Sequence, residues 1–107
     1  MKGDPLGVLA ICRKAGKLRA GFDPAADSLG RGAALVVFSA DASPKTKERM
    51  SRKAERAGVA CLTLPHTADD IDRAAGKRAV VLAITDAGLA ELVKARAGAD
   101  CKEDDDT

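Results

Sequence analysis

At 107 residues the chain has room for one domain, and its 46% hydrophobic, 32% charged composition must build a core from aliphatic side chains, because Phe22 and Phe38 are its only aromatics. So few rings weigh against a protein that stacks a row of bases. No apolar run approaches the ~20 residues of a membrane span, and the opening Met-Lys-Gly-Asp-Pro is not a signal peptide, so a soluble, cytoplasmic protein without a membrane partner is expected. The formal net charge of +2 hides an uneven distribution: Gly98 to Thr107 hold five acids and one lysine, which leaves +6 on the rest, and residues 1–58 carry 12 basic against 6 acidic side chains.

Asp4 and Pro5 open a first helix, with Leu6, Leu9 and Ala10 on one side and Gly16 as its stop. Leu18 to Ala20 has the length of a short strand. Asp23 and Pro24 open a brief second helix through Leu29, ended by Gly30 and Gly32. Ala34 to Ser39 is a continuous apolar run, the pattern of a strand covered on both faces. Ser43 and Pro44 cap a third helix running to about Ala57 and stopped by Gly58, and Val59 to Leu64 supplies the next strand. Thr67-Ala68-Asp69-Asp70 makes a capping box, with Asp in place of the usual Glu, for a helix that ends near Gly76. Ala79 to Ile84 is the last strand. Thr85 and Asp86 lead into a final helix with Leu89, Leu92 and Val93 as its apolar side, finishing before Gly98. Helices between buried aliphatic strands predict an α/β layered domain over residues 1–97. Residues 98–107, short of apolar side chains and self-repelling, are expected to form an acidic, disordered tail.

Little in the chain points to catalysis. Cys12, Cys61 and Cys101 are scattered and odd in number, which suits neither a disulfide framework nor a zinc pair, and the lone His66 has no spacing that pairs it with a thiol. Asp69, Asp70 and Asp72 cluster where a helix start favours acids anyway, and they lack the calcium-loop pattern. No Walker or dinucleotide fingerprint follows a strand. No enzyme activity, metal or cofactor is expected.

The cations are more informative. At 100° per residue, Lys45, Arg49, Arg52, Lys53 and Arg56 of the third helix fall within an arc of about 100°, while Met50, Ala54 and Ala57 take another side, expected to face the core. Glu48 stands four residues before Arg52, a helix-surface pair worth ~0.3 to 0.5 kcal/mol. A second cluster, Arg13, Lys14, Lys17 and Arg19, places four cations in seven residues around a helix end, where part of the charge offsets the macrodipole. Gly21-Phe22-Asp23-Pro24 follows at once, a glycine turn at a helix start whose N–H groups suit a phosphate, less those that Asp23 takes as N-cap.

The string Leu9-Ala10-x-x-Arg13-Lys14-Ala15-Gly16-Lys17-Leu18-x-x-Gly21, the blocks Leu35-Val36-Val37 and Ala40-Asp41-Ala42-Ser43, Thr46-Lys47, and Val80-Val81-Leu82-Ala83-Ile84-Thr85-Asp86-x-Gly88 together resemble one family. Over about residues 6 to 94 the chain is similar to bacterial YlxQ-type members of the L-seven-Ae kink-turn-binding ribosomal-protein family. The resemblance implies a three-layer α-β-α sandwich around a mixed four-stranded sheet, with Leu18 to Ala20 as its first strand, and RNA binding without catalysis. It implies RNA contacts at Lys17, Gly21, Phe22 and Asp23 and at the loop Gly76 to Ala79, which supplies Lys77 and Arg78. Kink-turn binders carry an Asn-Glu or Lys-Gln pair and then a Lys three residues on. Here Asp23, Pro24 and Asp27 stand in those places, removing donors and setting carboxylates against phosphate.

Two functions are therefore expected to compete. The first is a monomeric RNA-binding protein, associated with the ribosome or translation, that grips phosphates with the Arg13 to Arg19 strip and the Lys45 to Arg56 stripe. The second is a protein-interaction module of the same fold that has lost kink-turn recognition and docks an acidic protein.

Overall fold

The computed structural model describes residues 5–101. Helices and strands alternate in the order α1 (Pro5–Lys14), β1 (Leu18–Ala20), α2 (Phe22–Ser28), β2 (Leu35–Phe38), α3 (Pro44–Ala57), β3 (Ala60–Thr63), α4 (Ala68–Ala75), β4 (Val81–Ile84) and α5 (Ala87–Cys101). The strands form one sheet in the order β1-β4-β2-β3, in which β2 and β3 are parallel and β4 is antiparallel to both its neighbours. The last strand of the chain thus lies between the first and the second, with Ile84 opposite both Leu18 and Leu35.

Every residue of the two central strands is buried, which is why β2 reads as an unbroken apolar run. Their alternate side chains feed two cores. Leu35, Val37, Leu82 and Ile84 pack with Val8, Leu9 and Cys12 of α1, Ile71 of α4 and Val93 of α5. Val36, Phe38, Val81 and Ala83 pack with Ala25 of α2 and with Met50 and Ala54 of α3. Helices α1, α4 and α5 therefore cover one face and α2 and α3 the other. This is the expected three-layer α-β-α sandwich with a mixed four-stranded sheet.

The helix signals act as their chemistry requires. Ser43 Oγ accepts the Thr46 N–H at 3.1 Å, Pro44 occupies the first turn of α3, and Gly58 ends the helix at φ 73°. Both halves of the Thr67–Asp70 capping box form, at 3.2 and 3.1 Å. Among the described residues no helix is long and apolar enough to cross a membrane.

Several boundaries differ from the sequence expectation. The ends of β2, β3 and β4 are trimmed by a residue or two: the Val59 N–H turns back to the Ala54 carbonyl of α3 at 2.8 Å, while beyond Phe38 and Val81 the register continues only in the Ser39 N–H to Val80 carbonyl bond at 3.0 Å. Helix α2 is capped by Gly21 rather than Asp23, since Gly21 turns the chain at φ 107° and Pro24 then falls in the first turn, where no intrahelical N–H bond is lost. Helix α5 continues through Cys101, beyond the stop expected ahead of Gly98. The remainder of the acidic end, 102–107, and the helix opener Asp4 lie outside the described residues.

Candidate nucleic-acid interface

The candidate surface is built on α3. Met50 is fully buried and Ala54 likewise, which fixes the rotation of the helix and turns the basic stripe outward, as the 100° spacing predicts, while Ala57, expected to face the core, is exposed in the last turn beside Gly58. Arg49, Arg52, Lys53 and Arg56 together line a shallow groove of about 220 Å³. Lys45 stands in the first turn of the same helix and is exposed. The Glu48–Arg52 pair forms, Oε2 accepting from Nη2 at 2.8 Å, but both side chains are well exposed, so it orients Arg52 more than it stabilises the helix.

One contact joins this stripe to the glycine turn. The Arg49 guanidinium carbon sits 5.0 Å from the centroid of the Phe22 ring, within cation–π range. Phe22 opens α2 and is half-buried against the second core with Ala26, Leu29 and Val80. The Gly21 N–H donates to the Val81 carbonyl at 2.8 Å, which sets the glycine turn beside the end of the loop preceding β4. That bond commits the Gly21 amide itself. Gly21 is needed for its backbone: at φ 107° a side chain is strained, and a Cβ would lie 3.4 Å from Pro24 Cδ. Asp23 is exposed in the first turn of α2 and makes no cap hydrogen bond.

The Arg13 to Arg19 strip does not exist as a unit. Gly16 reverses the chain at φ 74°, and the cations on its two sides part company. Arg13 lies over Gly76, close enough that a Cβ on that glycine would meet its Nη1 at 3.1 Å. It therefore belongs to the α1 and α4 layer, beside the C-terminal carbonyls of α4, across the sheet from α3. Lys14 ends α1 in that layer and is exposed. Lys17 and Arg19 instead line a cleft of about 330 Å³ with Gly16, Asp27, Ser28, Arg31 and Thr85. Arg19 Nη1 donates to the Gly16 and Leu18 carbonyls at 3.2 and 3.3 Å, and Arg31 faces Asp27 at 3.8 Å.

Arg31 is a cation that sequence reasoning missed. The only signal was its position between Gly30 and Gly32, which marks a turn and not a surface. Thr85 reaches the cleft because its N–H donates to the Lys17 carbonyl at 2.9 Å.

Of the loop before β4, Lys77 is exposed, while Arg78 is ion-paired with Asp69 of α4. Asp41, at the entry to α3, anchors the region from the other side. Its Oδ1 accepts from Ser39 Oγ at 2.6 Å and from the Ala68 N–H at 3.0 Å. The Ser39 hydroxyl, then the Ala68 N–H, and the nearby Arg78 charge hold its carboxyl below the usual range. Among the described residues, no three His, Cys, Asp or Glu side chains are grouped to hold a metal ion.

An α-β-α sandwich with the strand order β1-β4-β2-β3 is the fold this chain shares with solved proteins. A protein of unknown function from Bacillus halodurans is similar to it with a TM-score of 0.81 and 23% identity, over 90% of this chain and 98% of that one. A 15.5 kD RNA-binding protein from Giardia lamblia is similar with a TM-score of 0.70 and 22% identity, over 88% of this chain and 82% of that one. No protein-family model matches the sequence, and no curated protein is significantly similar to it.

Proposed function

We propose that this is a small, monomeric, non-catalytic RNA-binding protein of the YlxQ type within the L-seven-Ae family, working in the cytoplasm on ribosomal or translation-associated RNA and holding it mainly by phosphates. The observation that supports the reading best is the α3 groove lined by Arg49, Arg52, Lys53 and Arg56, which Arg49 joins to the glycine turn through its contact with Phe22. The Giardia protein of the same fold is an RNA binder, which supports the same partner here.

A surface of this kind works by releasing counterions. Binding should weaken with salt at a log–log slope of roughly −0.7 to −0.9 per neutralised phosphate. Filter binding of a ribosomal RNA fragment across a salt series tests this on the wild type and on the Arg49→Glu, Arg52→Glu, Arg56→Glu triple variant. The expected result is a steep wild-type slope that the variant flattens along with most of the affinity. Equal retention of RNA by both proteins would remove α3 from the interface.

The second reading, a protein-docking module, rests on Asp23, Pro24 and Asp27, which put two carboxylates where kink-turn binders present an amide and a lysine. It predicts that partners captured from a lysate survive nuclease treatment.

A further inference from the structure

We propose that the cleft between the start of β1 and the turn after α2 is a site for a phosphomonoester, the terminal phosphate of a small sugar phosphate or of an RNA 5′ end, held by Lys17, Arg19 and Arg31. The inference goes beyond the RNA-binding reading and stands without it, because the cleft shares no lining residue with the α3 groove.

The chain brings three segments together here and ties each of them by its backbone. Lys17 stands just ahead of β1, where its carbonyl accepts the Thr85 N–H at 2.9 Å and fixes it to the end of β4. On the other side the Ser28 carbonyl accepts the N–H groups of Arg31 and Ala33 at 2.8 and 3.0 Å, which folds the turn after α2 back and brings Arg31 to the same space. Ser28 is itself buried and spends its hydroxyl on the Ala25 carbonyl at 2.7 Å. The frame of the cleft is thus set before any ligand arrives, and binding does not have to order it.

Charge decides what this space can take. Lys17, Arg19 and Arg31 set three positive charges against the one carboxylate of Asp27, a balance of +2 in the lining. Among the described residues neither Lys17 nor Arg19 is paired with an acid, and Arg31 faces Asp27 at 3.8 Å, beyond hydrogen-bond distance and with both side chains largely exposed. Three cations around one small volume repel one another, and an anion relieves that repulsion. A phosphomonoester carries about −1.5 to −2 at pH 7 and presents three acceptor oxygens, whereas a backbone diester carries a single charge and fewer free oxygens. The monoester matches both the balance and the number of cations. Donors are also to hand. Arg19 Nη1 is held by the Gly16 and Leu18 carbonyls at 3.2 and 3.3 Å, which leaves the rest of its fork without a protein acceptor among the described residues. Thr85, half-buried, has its amide committed but its hydroxyl free of protein partners among the same residues.

The lining also says what the ligand is not. A volume of about 330 Å³ stands at the small end of small-molecule sites, which run from roughly 300 to 1,000 Å³. No aromatic and no large aliphatic side chain lines it, so nothing there would grip a base or an acyl chain. Recognition falls on the phosphate itself, with room beside it for a compact polar group such as a sugar.

Calorimetric titration of the full chain with ribose 5-phosphate, and with ribose as control, in phosphate-free buffer at ~0.15 M salt tests the site. Ribose 5-phosphate should bind saturably and ribose should not. Lys17→Gln and Arg31→Gln should each weaken binding about tenfold, Arg52→Gln on α3 should leave it within about twofold, and Asp27→Asn should strengthen it by removing the opposing charge. A second arm compares a short RNA carrying a 5′-phosphate with the same RNA ending in a 5′-hydroxyl. Equal affinity for the two, with ribose 5-phosphate bound, assigns the site to the free sugar phosphate; a preference of about tenfold for the phosphate that Arg31→Gln removes assigns it to the RNA end. Ribose 5-phosphate binding that Lys17→Gln and Arg31→Gln leave unmoved, or that Arg52→Gln weakens as much as they do, would overturn the site. So would no binding of ribose 5-phosphate together with equal affinity for the two RNAs. Neither result touches RNA binding on α3, and failure of α3 to hold RNA leaves the ribose 5-phosphate titration unchanged.

Discussion

Asp41 and Ala68 are joined across 27 positions of sequence by one hydrogen bond, in which the carboxylate Oδ1 accepts the Ala68 N–H at 3.0 Å. The bond gives α4 a second N-terminal acceptor beside Thr67, and it clamps the loop entering α3 to the loop entering α4. Asp41→Ala should leave the Ala68 N–H and the Ser39 hydroxyl without this acceptor and lower the melting temperature measurably, with Asp41→Asn intermediate because it keeps an oxygen. The same carboxylate sets a pH dependence. Asp41 and Asp70 both titrate below their ordinary 3.8 in the folded chain, Asp41 through the Ser39 hydroxyl first and Asp70 through the Thr67 backbone N–H first. A lowered folded value means that the unfolded chain takes up protons first, so the stabilisation is complete above pH 3.8 and is lost as pH falls through the lowered values. Melting temperature followed from pH 6 to about pH 2 should therefore drop less steeply for Asp41→Asn than for wild type. Parallel curves would show that the clamp carries no charge-dependent stability.

Gly58 and Gly76 offer a controlled comparison, because both end helices at nearly equal positive φ, 73° and 77°, and differ in their surroundings. A Cβ at Gly58 meets nothing within 4 Å, whereas one at Gly76 meets the Arg13 guanidinium at 3.1 Å. Each Ala substitution should cost ~1 to 2 kcal/mol of strain in the left-handed region. The Arg13 contact is with the far end of an exposed, flexible side chain that can shift by a few tenths of an ångström, so Gly76→Ala should cost about as much as Gly58→Ala in denaturant titrations, and an Arg13→Ala background should leave that cost unchanged.

Cys12 is fully buried, and burial first, then the Asp86 charge, pushes its thiol up to about 11. Thiolate is the reactive form, so alkylation of the native protein at pH 8 should leave Cys12 unmodified by peptide mapping, and denaturant should expose it. Cys61 on the edge strand is only partly buried, its thiol raised by burial against a bond from Ser51, and it should react ahead of Cys12.

Lys17, Arg19 and Arg31 line their cleft at the far end of α2 from Phe22, and the seven residues of that helix span about 10 Å. An RNA stem held on α3 as proposed would be long enough to cover both ends. Replacing these three cations by Gln should therefore reduce the salt slope by roughly 0.7 to 0.9 for each phosphate that is no longer neutralised. A slope unchanged from wild type would confine the interface to α3.

Much of this architecture was legible because its signals are local. Ser43-Pro44 and Gly58 bracket α3, the Thr67–Asp70 box starts α4, and the apolar run at Leu35–Phe38 announces a central strand. The 3.6-residue period also placed the stripe on the face opposite Met50 and Ala54. The layout of the site was hidden because it depends on chain reversals and tertiary contacts. Arg13 and Lys17 are four apart in sequence, yet the positive φ of Gly16 sends them to different surfaces. Asp23-Pro24 carries the signature of a helix start, and only the backbone angle of Gly21 reveals that the helix has begun earlier. Nothing local to Phe22 or Arg49 announces their contact, and nothing local to Arg78 announces Asp69.

The insertion of β4 between β1 and β2 sets the order in which the molecule can be completed. As the nascent chain emerges, β2 can pair with β3 in parallel, but β1 has no neighbour until Val81–Ile84 has been made. Until then one long side of β2, among the most apolar stretches of the chain, stays open to wrong partners. Premature termination before residue 81 should thus yield sticky fragments rather than a smaller working protein, and the basic helix gains its stable footing only near the end of synthesis.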